Sequence, residues 1–324
     1  MSAVARAPRG RGLSEADVRL SPVTTESAPT HQRVPFTKGH GTQNDFVLVP
    51  DVDGELDLSD AQVRFLADRR GGIGGDGVIR VVRTRHAEEP EVRALADEAE
   101  WFMDYRNADG SRAEMCGNGT RVFAAYLSRE GLATGPRIPI ATRAGVKVAD
   151  VAEAENGETS YAVDLGPWRL TASEAITAQG YDTLVAVPGL DPLPGMSLDL
   201  GNPHVVVVLP ESADVMDLDL TTAPVLNPAP SSGANVELVQ PLGPGHLQMR
   251  VHERGVGETR SCGTGAAAAA LALMTWSGAP RENDRWRVDV PGGTLHVRAL
   301  PGQRVELAGP AALVTDGVVD VPRH

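Results

Sequence analysis

Met115-Cys116-Gly117-Asn118-Gly119-Thr120 and Ser261-Cys262-Gly263-Thr264-Gly265-Ala266 are two similar stretches that contain the only two cysteines of the chain. Each Cys-Gly-x-Gly is followed by an apolar run typical of a helix, so each thiol is predicted to lie at a helix N-terminus. Unpaired N–H groups and the helix dipole favour an anion at that position. We therefore expect both thiols to have lowered pKa values and to be available as thiolates.

Short strands are predicted before each cysteine, in the same order in both halves of the chain. Residues 45–49 and 77–82 in the first half, and 205–209 and 235–239 in the second, are rich in β-branched and apolar residues. This repeated order indicates an internal duplication. We predict an α+β (α/β roll-like) fold of two pseudo-symmetric domains, each a β-sheet or barrel wrapped around a central buried helix.

The same repetition predicts the domain boundaries. Residues 34–160 together with 308–324 are expected to form the N-terminal domain, which contains Cys116, and residues 161–307 the C-terminal domain, which contains Cys262. Residues 1–33 are rich in Arg, Ala, Pro, Ser and Thr and lack apolar periodicity. This composition predicts a disordered extension.

The overall composition excludes several classes of partner. The formal net charge of −13 over 324 residues argues against nucleic acid or an anionic membrane as a partner. The longest apolar run, residues 266–274, is too short to span a bilayer, and the N-terminus lacks the apolar core of a signal peptide. Two cysteines are too few for a disulfide scaffold. These features predict a cytoplasmic protein of enzyme size with reduced thiols, but they say little about a small-molecule substrate, whose recognition depends on a few local groups.

Three other interpretations of the cysteines are weaker. Free cysteines are commonly buried and structural, but two thiols with the same Gly-x-Gly helix start favour a shared function. Redox pairs are usually close in sequence, as Cys-x-x-Cys. A metal site is not predicted, because neither cysteine has companions at ligand spacing.

Polar residues near the cysteines are candidates for binding a zwitterion. Glu253 and Arg254 precede Cys262 and would complement an ammonium and a carboxylate, although such a pair is also common on solvated surfaces. His204 is either a core histidine or a residue that tunes which thiol is ionised. Five asparagines occur at turns or strand edges, where asparagine is also common for structural reasons: Asn44, Asn107, Asn118, Asn202 and Asn235.

Seven blocks of the sequence together resemble the diaminopimelate epimerase family, in order, from about residue 36 to 318. They are Asn44-Asp45-Phe46, Gly72-Ile73-Gly74-Gly75-Asp76-Gly77, Asn107-Ala108-Asp109-Gly110-Ser111, the stretch around Cys116, Gly201-Asn202-Pro203-His204, Glu253-Arg254-Gly255-Val256-Gly257-Glu258-Thr259 and the stretch around Cys262. The N-terminal extension and residues 87–99 lie outside this pattern, and we expect neither to contact the reaction site.

The resemblance implies a cofactor-free enzyme that interconverts LL- and meso-2,6-diaminopimelate, on the route to lysine and peptidoglycan. It implies that Cys116 and Cys262 are the acid–base pair, that His204 and Glu253 modulate their ionisation, and that the enzyme is a homodimer. The substrate contacts it implies are Asn44, Asn107, Gly117, Asn118, Asn202, Asn235, Glu253, Arg254, Gly263 and Thr264.

Three alternatives remain at this stage. Proline and hydroxyproline epimerases resemble this fold and also use two cysteines, but they need no recognition of a distal amino-acid group. Phenazine-biosynthesis-type isomerases lack the cysteine pair. A non-catalytic protein could instead use the two thiols as a redox-switched bridge between domains.

Overall fold

The computed structural model describes residues 31–153, 157–278, 280–282 and 284–323. In the first half the elements are β1 (His31–Gly41), β2 (Asn44–Pro50), α1 (Asp60–Ala67), β3 (Gly77–Arg83), a 3-10 turn (Thr84–His86), α2 (Pro90–Arg93), β4 (Trp101–Asn107), α3 (Gly117–Arg129), β5 (Arg137–Thr142), β6 (Gly145–Glu153) and β7 (Thr159–Pro167).

The second half contains more short strands than the first. Its elements are β8 (Arg169–Leu170), α4 (Ser173–Gln179), β9 (Thr183–Ala186), β10 (Leu193–Asp199), β11 (Pro203–Val208), a 3-10 turn (Val215–Asp217), β12 (Val225–Asn227), β13 (Asn235–Gly243), β14 (His246–Glu253), β15 (Gly257–Thr259), α5 (Gly263–Trp276), β16 (Arg285–Val290), β17 (Gly293–Leu300), β18 (Arg304–Pro310) and β19 (Ala312–Pro322).

Strand pairing follows one repeated pattern in the two halves. The pair β1–β2 is antiparallel, β2–β3 parallel, β3–β4 antiparallel and β4–β5 parallel, and β5–β6 and β6–β7 are antiparallel. The series β10, β11, β13, β14, β16, β17, β18 repeats these pairings in the same order. Helices α3 and α5 occupy equivalent places, each connecting the second parallel pair, as parallel strands require a crossover. The predicted α+β fold with two pseudo-symmetric domains is confirmed.

The two halves are joined through their last equivalent strands. Strand β7 pairs antiparallel with β18, and β19 then returns to pair with β1. The predicted domain boundaries at 160/161 and 307/308 fall within β7 and β18, and they stay a prediction.

The predicted N-terminal extension is too long by three residues. Residues 1–30 lie outside the described residues, but His31, Gln32 and Arg33 begin β1 and pair with Pro322, Val321 and Asp320 of β19. Their polar composition gives no strand signal. The strand forms because the C-terminal segment supplies a ladder partner almost 300 residues away in sequence, which local pattern does not reveal.

Both central helices are enclosed by the sheets. Helix α5 is apolar on nearly all sides and is buried from Gly265 to Met274, as its composition predicts. Helix α3 is buried from Gly117 through Leu127, including polar side chains in its first turns. Among the helices that the structure describes, none has the length and apolar character to cross a membrane.

The two halves also meet at a pair of turns. The β1–β2 turn contains Thr42 and Gln43, two non-glycine residues with φ of 49° and 62°. The β16–β17 turn packs against it so closely that a Cβ on Gly292 would lie 1.8 Å from the carbonyl oxygen of Thr42. Only glycine allows this approach, because the atoms that a Cβ would meet belong to the backbone of Thr42 and Arg260 and cannot rotate away as a side chain could.

We therefore expect Gly292→Ala to destabilise the protein. Either turn must move to accept the methyl group, and overpacking of this kind costs about 1–3 kcal/mol. Urea denaturation followed by circular dichroism measures the loss. Gly71→Ala is the matched control, because its Cβ would be 3.8 Å from the nearest atom. Equal stability of the two variants would contradict the close packing of these turns.

Candidate active site

Both cysteines are N-cap residues of the two central helices, as the sequence predicts. Cys116 precedes α3 with φ −141° and ψ 120°, and Cys262 precedes α5 with φ −116° and ψ 117°. The Sγ of Cys262 accepts a hydrogen bond from the N–H of Gly265 at 3.4 Å. Cys116 is partly exposed and Cys262 is 8% exposed. The two thiols thus occupy equivalent positions in the duplicated fold.

The first turns of α3 and α5 pack against one another. A Cβ on Gly263 would lie 3.1 Å from Oδ1 of Asn118 and 2.9 Å from Leu307, and a Cβ on Gly117 would lie 3.4 Å from the same leucine. Asn118 also donates to the carbonyl oxygen of Ser261 at 3.4 Å. The glycines after each cysteine therefore allow the two helix N-termini to approach each other.

On the Cys116 side, the side chains of two predicted asparagines meet. Asn118 Nδ2 donates to Asn44 Oδ1 at 3.1 Å, and Cys116 Sγ lies 3.8 Å from that same oxygen. Asn44 Nδ2 in turn donates to Asp76 Oδ2 at 2.6 Å. Asp76 holds the asparagine in place, and its part in the site was not predicted.

On the Cys262 side, a chain of polar contacts connects the thiol to the core. Thr264 Oγ1 lies 3.5 Å from Cys262 Sγ and accepts from Asn202 Nδ2 at 3.2 Å. Asn202 Oδ1 is 3.0 Å from His204 Nε2, and His204 Nδ1 is 2.7 Å from Glu237 Oε1. His204 and Glu237 are fully buried.

Glu237 was missed by the sequence analysis. It lies in the middle of a predicted apolar strand, residues 235–239, and a single carboxylate at such a position signals a buried polar partner. A Cβ on Gly265 would lie 2.7 Å from Glu237 Oε1, so the carboxylate packs directly under the first turn of α5.

The remaining predicted contacts are less tightly grouped. Asn235 Oδ1 accepts from the N–H of Arg254 at 2.9 Å, and Glu253 accepts from the hydroxyl of Thr259. The guanidinium of Arg254 donates to the carbonyl oxygen of Ser232 at 2.7 Å. Within the described residues, no hydrogen bond connects Arg254 to either cysteine.

The side chain of Asn107 forms its hydrogen bond away from the two cysteines. Its Nδ2 donates to Ser111 Oγ at 3.0 Å, and its backbone lies opposite Gly77, next to Asp76. This register places it at the same end of the sheet as Asn44.

The segment 87–99 contacts the loop that precedes Cys116, and its distance from the reaction site stays a prediction. Glu88 and Glu89 accept from the guanidinium of Arg112 at 2.7 and 2.9 Å. Arg112 lies in the loop that leads from β4 to Cys116, so the segment supports this loop. The sequence could not reveal this, because the ion pairs join segments that come together only in the fold.

The expectation of lowered thiol pKa values is wrong. Burial raises the pKa of Cys116, although the N–H groups of Gly119 and Asn118 act to lower it. Burial raises the pKa of Cys262 further above the usual range, and Glu253 and Glu237 add to this increase. Desolvation of the thiolate outweighs the helix N-terminus at both positions.

The chain matches the family model described as "Diaminopimelate epimerase" over residues 36–171 and 196–314. It is 47% identical to a diaminopimelate epimerase from Streptomyces coelicolor, covering 89% of this chain and 96% of that protein. It is 46% identical to a diaminopimelate epimerase from Thermobifida fusca, covering 88% and 97% of the two chains.

Solved structures with low sequence identity share the fold. A PhzF-family phenazine biosynthesis protein from Bacillus anthracis superposes with a TM-score of 0.65 at 17% identity, covering 89% of this chain and 99% of that one. A hydroxyproline epimerase from Agrobacterium vitis gives a TM-score of 0.61 at 13% identity, covering 90% and 93%. With the family model matched over both halves and relatives close to half identical, the chain belongs to the diaminopimelate epimerase family.

Proposed function

We propose that this enzyme interconverts LL- and meso-2,6-diaminopimelate, with Cys116 and Cys262 as its acid–base pair. The observation that carries the proposal is the placement of both thiols at equivalent helix N-termini whose first turns pack together. Membership of the family and the names of relatives that cover nearly the whole chain support the choice of substrate.

Inversion at a carbon needs a base on one face and an acid on the other. In the proposed reaction, one cysteine as thiolate removes the α-proton, and the C–H electron pair remains on the α-carbon. The other cysteine as thiol gives its proton to the opposite face. The first cysteine is then a thiol and the second a thiolate, so the reverse reaction begins with the roles exchanged.

The helix N-termini would stabilise the carbanion without a cofactor. The N–H groups of Gly117 and Asn118 in α3, and of Gly263 and Thr264 in α5, belong to the first-turn donors that have no partner within their own helix. Directed at the substrate carboxylate, they would stabilise the negative charge that develops during proton removal. Because these N–H groups are fixed in buried helices, they need to move little as the negative charge develops.

The substrate contacts implied by the resemblance are part of this proposal. Asn118 Oδ1 is buried and has no hydrogen-bond partner among the described residues, as an acceptor for a substrate ammonium would require. The other proposed contacts are Asn44, Asn107, Gly117, Asn202, Asn235, Glu253, Arg254, Gly263 and Thr264. His204 and Glu253 are proposed to modulate thiol ionisation, and for His204 the buried contact with Glu237 supports this role.

We further propose a homodimeric enzyme of the cytoplasm that acts in the synthesis of lysine and peptidoglycan precursors. Reduced thiols are required for the acid–base reaction, which agrees with a reducing compartment. The net charge of −13 agrees with the absence of a nucleic-acid partner.

We expect Cys116→Ala and Cys262→Ala each to reduce the rate of meso product formation by about a thousandfold, because each removes one proton-transfer group. The assay incubates LL-diaminopimelate with reduced protein in D₂O and follows meso product and α-deuterium by NMR. Ser128→Ala, near the other end of α3, is the control. Proline and hydroxyproline in the same assay test the rival epimerases. A cysteine variant that inverts the substrate at the normal rate would exclude the two-base mechanism.

The pH dependence of kcat/KM provides a second test. A thiol becomes a base only when it loses its proton, and burial raises the pKa of both cysteines. Activity should therefore rise with pH through the alkaline range, and fall only where the second cysteine also ionises. Titration of diaminopimelate alone gives the substrate's own contribution. A maximum of kcat/KM near neutral pH with a decline above it would contradict this expectation, because it would show that the pKa of a thiol lies below its usual value.

A further inference from the structure

Arg121 lies fully buried in α3, five residues after Cys116. Its hydrogen bonds to the described residues are all long, to the carbonyl oxygen of Gly117 at 3.4 Å and to Thr42 Oγ1 and the Pro310 carbonyl oxygen at 3.5 Å. No aspartate or glutamate of the described chain forms an ion pair with it. A buried charge without a counter-charge is strongly unfavourable, so a partner with negative charge is expected nearby.

Two glycines on the surrounding strands leave space for the side chain of Arg121. A Cβ on Gly41, at the end of β1, would lie 2.9 Å from Arg121 Nη2, and one on Gly309 of β18 would lie 3.5 Å from Nε. The contact with the Gly117 carbonyl oxygen brings the guanidinium back toward the first turn of α3. The cation is therefore held beside the turn that begins at Cys116.

The duplicated fold provides an internal comparison. The position five residues after Cys262 in α5 is Ala267, which is buried among apolar side chains. Near the first turn of α5, Gly265 packs on Glu237, whereas Gly119 in α3 packs on Ile79 and Phe46. Strand register makes Phe46 equivalent to His204, and Ile79 equivalent to Glu237. The fold thus places a cation near one cysteine and a carboxylate near the other.

We propose that Arg121 is a positioning residue whose buried guanidinium stabilises the thiolate of Cys116, so that Cys116 is the cysteine ionised first in the free enzyme. This inference rests on the proposed two-cysteine function. The negative charge that Arg121 lacks in its own contacts is supplied when Cys116 loses its proton, and among the described residues no equivalent cation assists Cys262.

The charged groups that face Cys116 agree with this assignment. Burial lowers the pKa of Arg121 to about 10, which leaves it charged at neutral pH. After burial and the two helix N–H groups, the pKa of Cys116 is raised by Glu253 and lowered by Arg121. Tyr105 also faces the thiol, and burial and Cys116 keep its pKa well above the usual value, so it stays neutral.

The test measures thiol ionisation without substrate. Cys262→Ser leaves Cys116 as the single thiol, and Cys116→Ser leaves Cys262. Each background is combined with Arg121→Met, Arg121→Gln or Arg121→Lys, and the rate of iodoacetamide alkylation is measured against pH. Arg129→Met is the matched control on the same helix, because that arginine is at the surface end and pairs with Asp316.

We expect both neutral variants to slow alkylation of Cys116 about tenfold at neutral pH and to move its ionisation to higher pH. Arg121→Lys should restore the profile in part, while Arg129→Met and the profile of Cys262 should change little. Because Arg121 pairs with no carboxylate of the described chain, neither neutral replacement leaves a buried carboxylate without its partner. We therefore expect both variants to fold, which circular dichroism verifies. Unchanged Cys116 ionisation in a folded neutral variant, or an equal shift at Cys262, would overturn the proposal.

The two proposals can fail separately. Alkylation needs no turnover, so an unchanged profile leaves the epimerase assay valid. Loss of epimerase activity on diaminopimelate would not alter the measured ionisation of Cys116.

Discussion

The structure depends on two helix N-termini that are packed against each other in the interior. Each first turn has N–H groups without helical partners, and both helix dipoles present partial positive charge to the same region. This arrangement is favourable only if polar groups or an anion lie between them. The Sγ of Cys262 accepts from the N–H of Gly265 in the first turn of α5, and hydrogen bonds from Asn118 Nδ2 to the Ser261 carbonyl oxygen and between the hydroxyls of Thr42 and Ser261 connect the elements around the two turns. In the proposed reaction, a thiolate and the substrate carboxylate would accept from the remaining N–H groups, so the feature that needs an anion in the fold is the one that the reaction would use.

Duplication places two thiols in equivalent positions, as the proposed inversion requires, and the side chains around them make the two halves unequal. The ladders of the halves match pair by pair, so the backbone puts two thiols in equivalent places. Around them, Phe46 and Ile79 correspond to His204 and Glu237, and Arg121 corresponds to Ala267. An acid–base pair needs one thiol ionised and the other protonated at the start of each turnover. The unequal surroundings would provide this difference under the proposed mechanism, whereas a fully symmetric site would leave both thiols in the same state.

Much of the site could be predicted because its residues occur in short motifs at helix starts and strand ends. Cys116, Cys262, Asn118 and Thr264 are fixed by Cys-Gly-x-Gly stretches whose local structure is determined by neighbouring residues. Glu237 and Arg121 could not be assigned in the same way. Glu237 stands out in the sequence as a carboxylate within an apolar strand, but the groups that surround Glu237 and Arg121 depend on which elements pack around them. The pairing of residues 31–33 with β19 was missed for the same reason.

By itself, the sequence determined the two helix starts, the repeated order of strands and the family. These follow from local propensity, from periodicity and from residue types at fixed spacing. Only the tertiary structure decided how strongly the thiols are desolvated, and with it the direction of their pKa shifts. Helix position is a local property, but burial is set by every element packed around the site. The Cys-Gly-x-Gly pattern places a thiol where an anion is favoured, and the enclosing sheets decide the cost of forming that anion.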